Sequence, residues 1–173
     1  PPFVYDRKWR GNVAQLVGRR SESTFVFRLR RSRARILESV YKSHRGLYRN
    51  PIRKAIFVGD LINRGNESKE VLQIVRPMVQ SGNALAILGN HELNLMAFYT
   101  LDELNKPLLS HSVRNILQLL PVFESFKNAE AELREYIDWM YSLPLFLEYE
   151  DFRVVHACWQ QSSIDFIRSF FPK

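Results

Sequence analysis

The chain has 173 residues, 46% of them hydrophobic and 25% charged, with a net charge of +7 and a single cysteine. That much apolar material suits one ordinary globular domain with its own core and excludes a solvated, disordered polymer. The lone Cys158 excludes a disulfide within the chain, no apolar run reaches the ~18 residues of a membrane span, and the N-terminus lacks a basic-then-apolar leader, so the expected setting is the cytoplasm, away from membranes.

Residues 3–5 predict a short strand ending at Asp6. A basic stretch without clear period follows at 7–12, and residues 13–17 give a weak helical start. Residues 24–27 predict a strand. Residues 30–43 predict a helix with Ile36, Leu37, Val40 and Tyr41 inward, although the arginines of 28–35 sit badly beside a core strand. Residues 1–54 carry 15 Lys and Arg against 3 Asp and Glu, whereas the rest carries 10 against 15. Residues 7–44 therefore stand apart as an atypical basic segment within a single domain of residues 1–173. Such a segment can contact nucleic acid, but no recognised nucleic-acid module accompanies it, and a solvated face is the simpler reading.

From Leu47 the pattern is orderly. Residues 55–58 and 84–88 are apolar runs too short for helices and bounded by turn residues, hence buried strands. Residues 68–81 place Val71, Leu72, Val75, Met78 and Val79 on one helical face, with Gly82 as the stop and Pro77 expected to kink or divide the helix. This is a βαβ unit, and its strands deliver Gly59-Asp60 and Gly89-Asn90-His91-Glu92 to one edge of a parallel sheet, where open α/β sheets bind ligands. Residues 91–99 predict a helix, 100–110 a loop, and 112–120 and 123–141 two helices separated at Pro121. Residues 145–149 and 153–157 predict a strand pair that brings His156 to a strand end, and 160–171 a closing helix.

Three strand ends thus carry Asp60, Asn90 with His91, and His156. Asp and His are ordinary ligands of Mn, Fe or Zn, and an Asn oxygen completes a mixed nitrogen and oxygen set. Arg64, in a Gly-bounded loop, suits a phosphate clamp, and His91 can protonate a leaving alkoxide. Taken singly, each has a plainer reading: a helix cap for Asp60, a surface charge for Arg64, a satisfied core imidazole for His156. Glu92 reads as favourable structure near a helix N-terminus, and Cys158 as a small buried group.

In order and spacing, Gly59-Asp60-Leu61-Ile62-Asn63-Arg64-Gly65, Gly89-Asn90-His91-Glu92 and Val155-His156-Ala157 resemble consecutive motifs of the calcineurin-like metallophosphoesterases, nearest the branch of serine/threonine phosphatases and diadenosine tetraphosphate hydrolases. The likeness spans roughly residues 47–160. It implies an α/β fold, a metallophosphoesterase-like β-sandwich flanked by helices, and hydrolysis of a phosphomonoester, phosphoprotein or dinucleoside polyphosphate with two divalent ions (Mn, Fe or Zn). It also implies roles: Asp60 bridging both ions, Asn90 and His156 binding one, Arg64 on phosphate, His91 as general acid. In the phosphatases an Asp often stands at Asn63 and orients the acid histidine.

Two family motifs are absent. No Asp-x-His occurs in the chain, and no Gly-His follows His156, so the fold and the two-metal site are expected to be incomplete. Gly11 to Leu16 looks like the text that follows the missing histidine. An Arg/Ser-rich run then breaks in, as a shifted reading frame over parts of residues 5–40 would produce. The expected activity is therefore impaired. The rival of another class is a non-catalytic remnant that binds phosphate or a partner, and a basic nucleic-acid-associated protein is the third.

Overall fold

The computed structural model describes residues 15–18, 24–27, 42–44, 47–51, 54–150 and 152–170. The strand expected at 3–5 and most of the helix expected at 30–43 lie outside them. Strands β1 (Gln15–Gly18) and β2 (Thr24–Phe27) come first, then a hairpin of β3 (Lys42–His44) and β4 (Leu47–Arg49). Two sequence expectations change here. Residues 15–17 form a strand where a helical start was predicted, and 42–43 form a strand where a helix end was. In both places pairing with another strand outweighs a weak local preference.

The strand–helix–strand unit is as predicted. It consists of β5 (Lys54–Phe57), α1 (Ser68–Gln80) and β6 (Ala84–Ala86), with β5 parallel to β6 and also to β2. Both faces of β5 are buried, which is why it reads as an unbroken apolar run. Side chains alternate along it. Ala55 and Phe57 join the main core with Leu72, Val75 and Met78 of α1, whereas Ile56 and Val58 join a smaller cluster with Ile87 and Val154. Pro77 does not divide α1. It sits in the last turn, where the ring costs only the bond to the Gln73 carbonyl, and its own carbonyl accepts the Ser81 N–H at 3.0 Å.

Helix α2 (Asn90–Tyr99) starts directly from the β6 end, and a turn-rich segment closed by one bridge, Leu101 to Pro107, follows it. Helix α3 (Val113–Ser125) runs through Pro121, contrary to the predicted break. The amide after the proline, Val122 N–H, is taken up by Asn63 Oδ1 at 3.0 Å, so the helix continues without an orphaned donor. The break falls later, at Asn128 with φ +62°, before α4 (Glu130–Met140). Asn is among the few residues that adopt this left-handed turn readily.

The chain closes with β7 (Phe146–Glu148), β8 (Phe152–Val155) and α5 (Gln161–Ser169). β8 pairs antiparallel with both β7 and β1, giving a three-stranded sheet beside the three-stranded β2-β5-β6 sheet. Leu147, Phe152 and Val154 pack in the same small cluster as Ile56, Val58 and Ile87. The Leu88 N–H also donates to the Pro144 carbonyl at 2.9 Å, tying the β6 end to the approach of β7. The molecule is a mixed α/β structure, and no helix of the described residues is long and apolar enough to cross a membrane.

Candidate active site

Two glycines bring the ends of β5 and β6 together. A Cβ on Gly59, whose φ is +75°, would lie 2.4 Å from the Gly89 nitrogen, and one on Gly89 would lie 2.5 Å from the Asp60 nitrogen and 2.8 Å from Asp60 Oδ1. The loops therefore touch backbone to backbone, an approach only glycine allows. Asp60 (φ +55°) and Asn63 (φ +59°) also lie in the left-handed region, so the loop is a run of unusual conformations fixed by its surroundings.

Asp60 is fully buried. Arg64 donates to its Oδ2 from Nε at 3.0 Å and from Nη2 at 2.8 Å, which leaves the remaining guanidinium N–H groups for another acceptor. Asp60 Oδ1 lies 3.2 Å from His156 Nε2, and Asn90 Oδ1 lies 3.2 Å from that same nitrogen. On its other side the His156 ring reaches the Val58 carbonyl from Nδ1 at 2.6 Å. A carbonyl only accepts, so Nδ1 carries the proton, and a ring protonated there alone turns its Nε2 lone pair toward the two oxygens, whereas a doubly protonated ring donates to them. Three lone-pair atoms, from Asp60, Asn90 and His156, converge on one point. The sequence named all three.

Glu92, read from sequence as favourable structure near a helix N-terminus, has that place and a wider reach. It is fully buried, and its carboxylate accepts four backbone N–H groups: Asp60 at 2.8 Å and Gly89 at 2.9 Å on Oε2, Leu61 at 2.7 Å and Ile62 at 3.2 Å on Oε1. Burial pushes its pKa above the ordinary carboxylate value, the nearby Asp60 charge adds to that, and the backbone donors pull it back. A signal was present: Glu three residues after the Gly89 cap is one half of a capping box, with the side chain returning to the cap N–H.

His91 lies half-buried in the first turn of α2, next to Asn90, which is exposed. Asn63 joins the loop to the helices: its N–H donates to Ser68 Oγ at 3.1 Å, its Oδ1 accepts from Val122, and its Nδ2 is buried without a hydrogen-bond partner. Cys158, expected to be buried, is exposed.

The donor set fits one divalent cation. Arg64 supplies positive charge to one Asp60 oxygen, and on the other side Asp, Asn and His are donors that suit Mn, Fe or Zn. The histidine is oriented by a carbonyl on its other nitrogen, as metal-binding histidines generally are. Among the described residues no group of three or more His, Cys, Asp or Glu is placed to hold a metal, so this set reaches three donors only through the Asn90 oxygen.

The calcineurin-like phosphoesterase model matches residues 31–170, a wider span than the motifs alone suggested. The chain is 36% identical over 107 residues to a symmetrical bis(5'-nucleosyl)-tetraphosphatase of Janthinobacterium sp. (strain Marseille), covering 62% of this chain and 34% of that protein. It is 32% identical over 112 residues to the enzyme of the same name from Marinomonas sp. (strain MWYL1), covering 61% and 35%. The Ralstonia nicotianae protein of that name is 49% identical over a shorter 41 residues, 24% of this chain and 14% of that one. These matches span about a third or less of the curated relatives' length. No solved structure matches the chain significantly. With strand ends, ligand-type residues and the family match in agreement over most of its length, the chain belongs to the calcineurin-like phosphoesterase family.

Proposed function

We propose that the protein is a metal-dependent phosphoesterase whose substrate is a dinucleoside polyphosphate or a related phosphoester, and that its activity is impaired. The observation that carries this is the divided environment of the buried Asp60 carboxylate, with Arg64 on one oxygen and His156 and Asn90 converging on the other. The substrate class follows the printed names of the relatives. The common apolar cluster of Ile56, Ile87 and Val154 supports a two-sheet sandwich flanked by helices.

In this reading Asp60, Asn90 and His156 hold one ion, Mn, Fe or Zn, and Asp60 is the single named contact to a second. Bound ions supply Lewis-acid stabilisation of the attacking and leaving oxygens. The remaining steps belong to the chain. Arg64, anchored by Asp60, presents its free N–H groups to a phosphate oxygen. His91 gives a proton to the leaving oxygen, and Asn63 holds the loop between them in shape. Among the described residues this second ion has one carboxylate, and impairment follows because an ion so held is bound weakly.

The test is calorimetric titration of the full chain with Mn²⁺, alongside turnover of diadenosine tetraphosphate and p-nitrophenyl phosphate. Expected are one ion bound tightly, slow turnover, loss of binding in Asp60→Asn, and a kcat lower by about 10²-fold or more in His91→Ala. Absence of Mn²⁺ binding refutes the proposal. Binding of one ion and of phosphate with no turnover by any preparation selects the rival reading, a non-catalytic phosphate binder, which is favoured by there being no group of three or more His, Cys, Asp or Glu placed for a metal among the described residues.

A further inference from the structure

Of the described residues, only Asp60, Ser68 and Glu92 are polar or charged and buried. Asp60 has Arg64 and His156 as charged or chargeable neighbours. The hydrogen bonds that the Glu92 carboxylate accepts come from neutral backbone amides, and they come from two different loops. Its Oε2 alone joins the two, taking the N–H of Asp60 from the β5 end and the N–H of Gly89 from the β6 end.

We propose that Glu92 is the positioning residue of this site: one buried carboxylate, bonded to both loops, fixes the separation of Asp60 from Asn90 and thereby the ligand geometry. The proposal rests on the reading of Asp60, Asn90 and His156 as ligands. Geometry argues for it in three steps. The Asp60 loop takes two left-handed turns within four residues, at Asp60 and Asn63, and Asp and Asn tolerate that region without being fixed in it, so the bonds to Glu92 are what select this shape. The amides of Asp60, Leu61 and Ile62 all donate to one carboxylate, as the amides of a helix N-terminus donate to a bound anion. Glu92 also lies in the first turn of α2, two residues after Asn90, so the backbone that carries the anchor carries the ligand as well.

Glu92→Gln tests this with almost no change of volume. An amide oxygen accepts from only one pair of these N–H groups, and its NH₂ then confronts the other pair. In the full chain without metal, amide hydrogen exchange at Asp60, Leu61, Ile62 and Gly89 is expected to quicken about tenfold or more, with no such change along α1. Mn²⁺ affinity is expected to fall about 10- to 100-fold, as when an outer-shell partner of a ligand is lost. Val75→Ala, a buried substitution in α1 remote from the site, supplies the comparison: it lowers Tm yet leaves Mn²⁺ affinity as it was. If Glu92→Gln does not fold, Glu92→Asp carries the same measurements, since it keeps both oxygens but is one methylene short of bonding both loops. Unchanged exchange at the four amides overturns the proposal, as does an equal loss of Mn²⁺ affinity in Val75→Ala. Absence of Mn²⁺ binding by the unmodified chain overturns the ligand reading instead, whereas Mn²⁺ binding that survives Glu92→Gln overturns the positioning role alone.

Discussion

At the residue scale, Asp60 is a carboxylate with no exposure, held against Arg64 by two donors on one oxygen. Arginine suits this place because its planar fork can bond Asp60 along one edge and face an anion along another. Lysine keeps the charge and loses that geometry. Arg64→Lys is therefore expected to weaken inorganic phosphate binding about tenfold, about 1.4 kcal/mol, with the fold intact, as measured by calorimetry. The glycine pair sets a harder limit. In Gly89→Ala the methyl would meet Asp60 N and Oδ1 and His156 Cε1, all within 2.8 Å, so the loops must separate. The expected cost is about 1–3 kcal/mol of stability in urea unfolding, with loss of Mn²⁺ binding. These residues were legible because turn and ligand types stood directly after apolar runs. Glu92 was read only as a helix-end acid, because sequence shows its place in α2 but not the three amides of the other loop that reach it.

Among the elements, α3 and α4 show where local rules mislead. Pro121 announces a break, yet the donor it disturbs finds Asn63 some 59 residues earlier in the chain, a partner no local pattern displays. The true break rests on Asn128 in the left-handed region. Asn128→Gly is expected to leave stability within about 0.5 kcal/mol of the parent and Asn128→Ala to cost about 1 kcal/mol, both read from urea midpoints. Lys69 of α1 pairs with Glu132 of α4 at 2.6 Å, and this bond holds the Glu132 carboxyl below its ordinary range. The folded state thus prefers the ionised form. The contribution is full above the ordinary carboxylate pKa of the unfolded chain and fades as pH falls through the lower folded value. Both side chains are partly exposed, so Lys69→Met is expected to cost only about 0.2–1 kcal/mol at pH 7 and nothing once Glu132 is protonated, as checked by urea unfolding across that range.

Across the whole molecule, what sequence revealed followed sequence distance. The β5–α1–β6 unit closes over some thirty residues, and its strands, helix and parallel pairing were all foreseen. β1 was misread because its character comes from β8: Gln15 pairs with Val155 at the far end of the chain. The small cluster that joins Ile56 and Ile87 to Val154 is non-local in the same way. If it joins the two sheets as proposed, Ile56→Ala and Val154→Ala should not be additive. A double-mutant cycle is expected to give a coupling of about 0.5 kcal/mol or more, whereas pairing Ile56→Ala with Ile164→Ala in α5, outside that cluster, should give none.

The bond from His156 Nδ1 to the Val58 carbonyl spans 98 residues, and that span gives the site an order in time. Asp60 and Asn90 can be set in place as soon as the first parallel pair has closed. The imidazole arrives only when the terminal hairpin docks, after the longer loop has closed. Run backwards, the same order offers an exit: if His156 is a ligand as proposed, detaching that hairpin would remove it while the βαβ unit stays folded. The lifetime of a bound ion would then follow the hairpin's local opening, and not global unfolding.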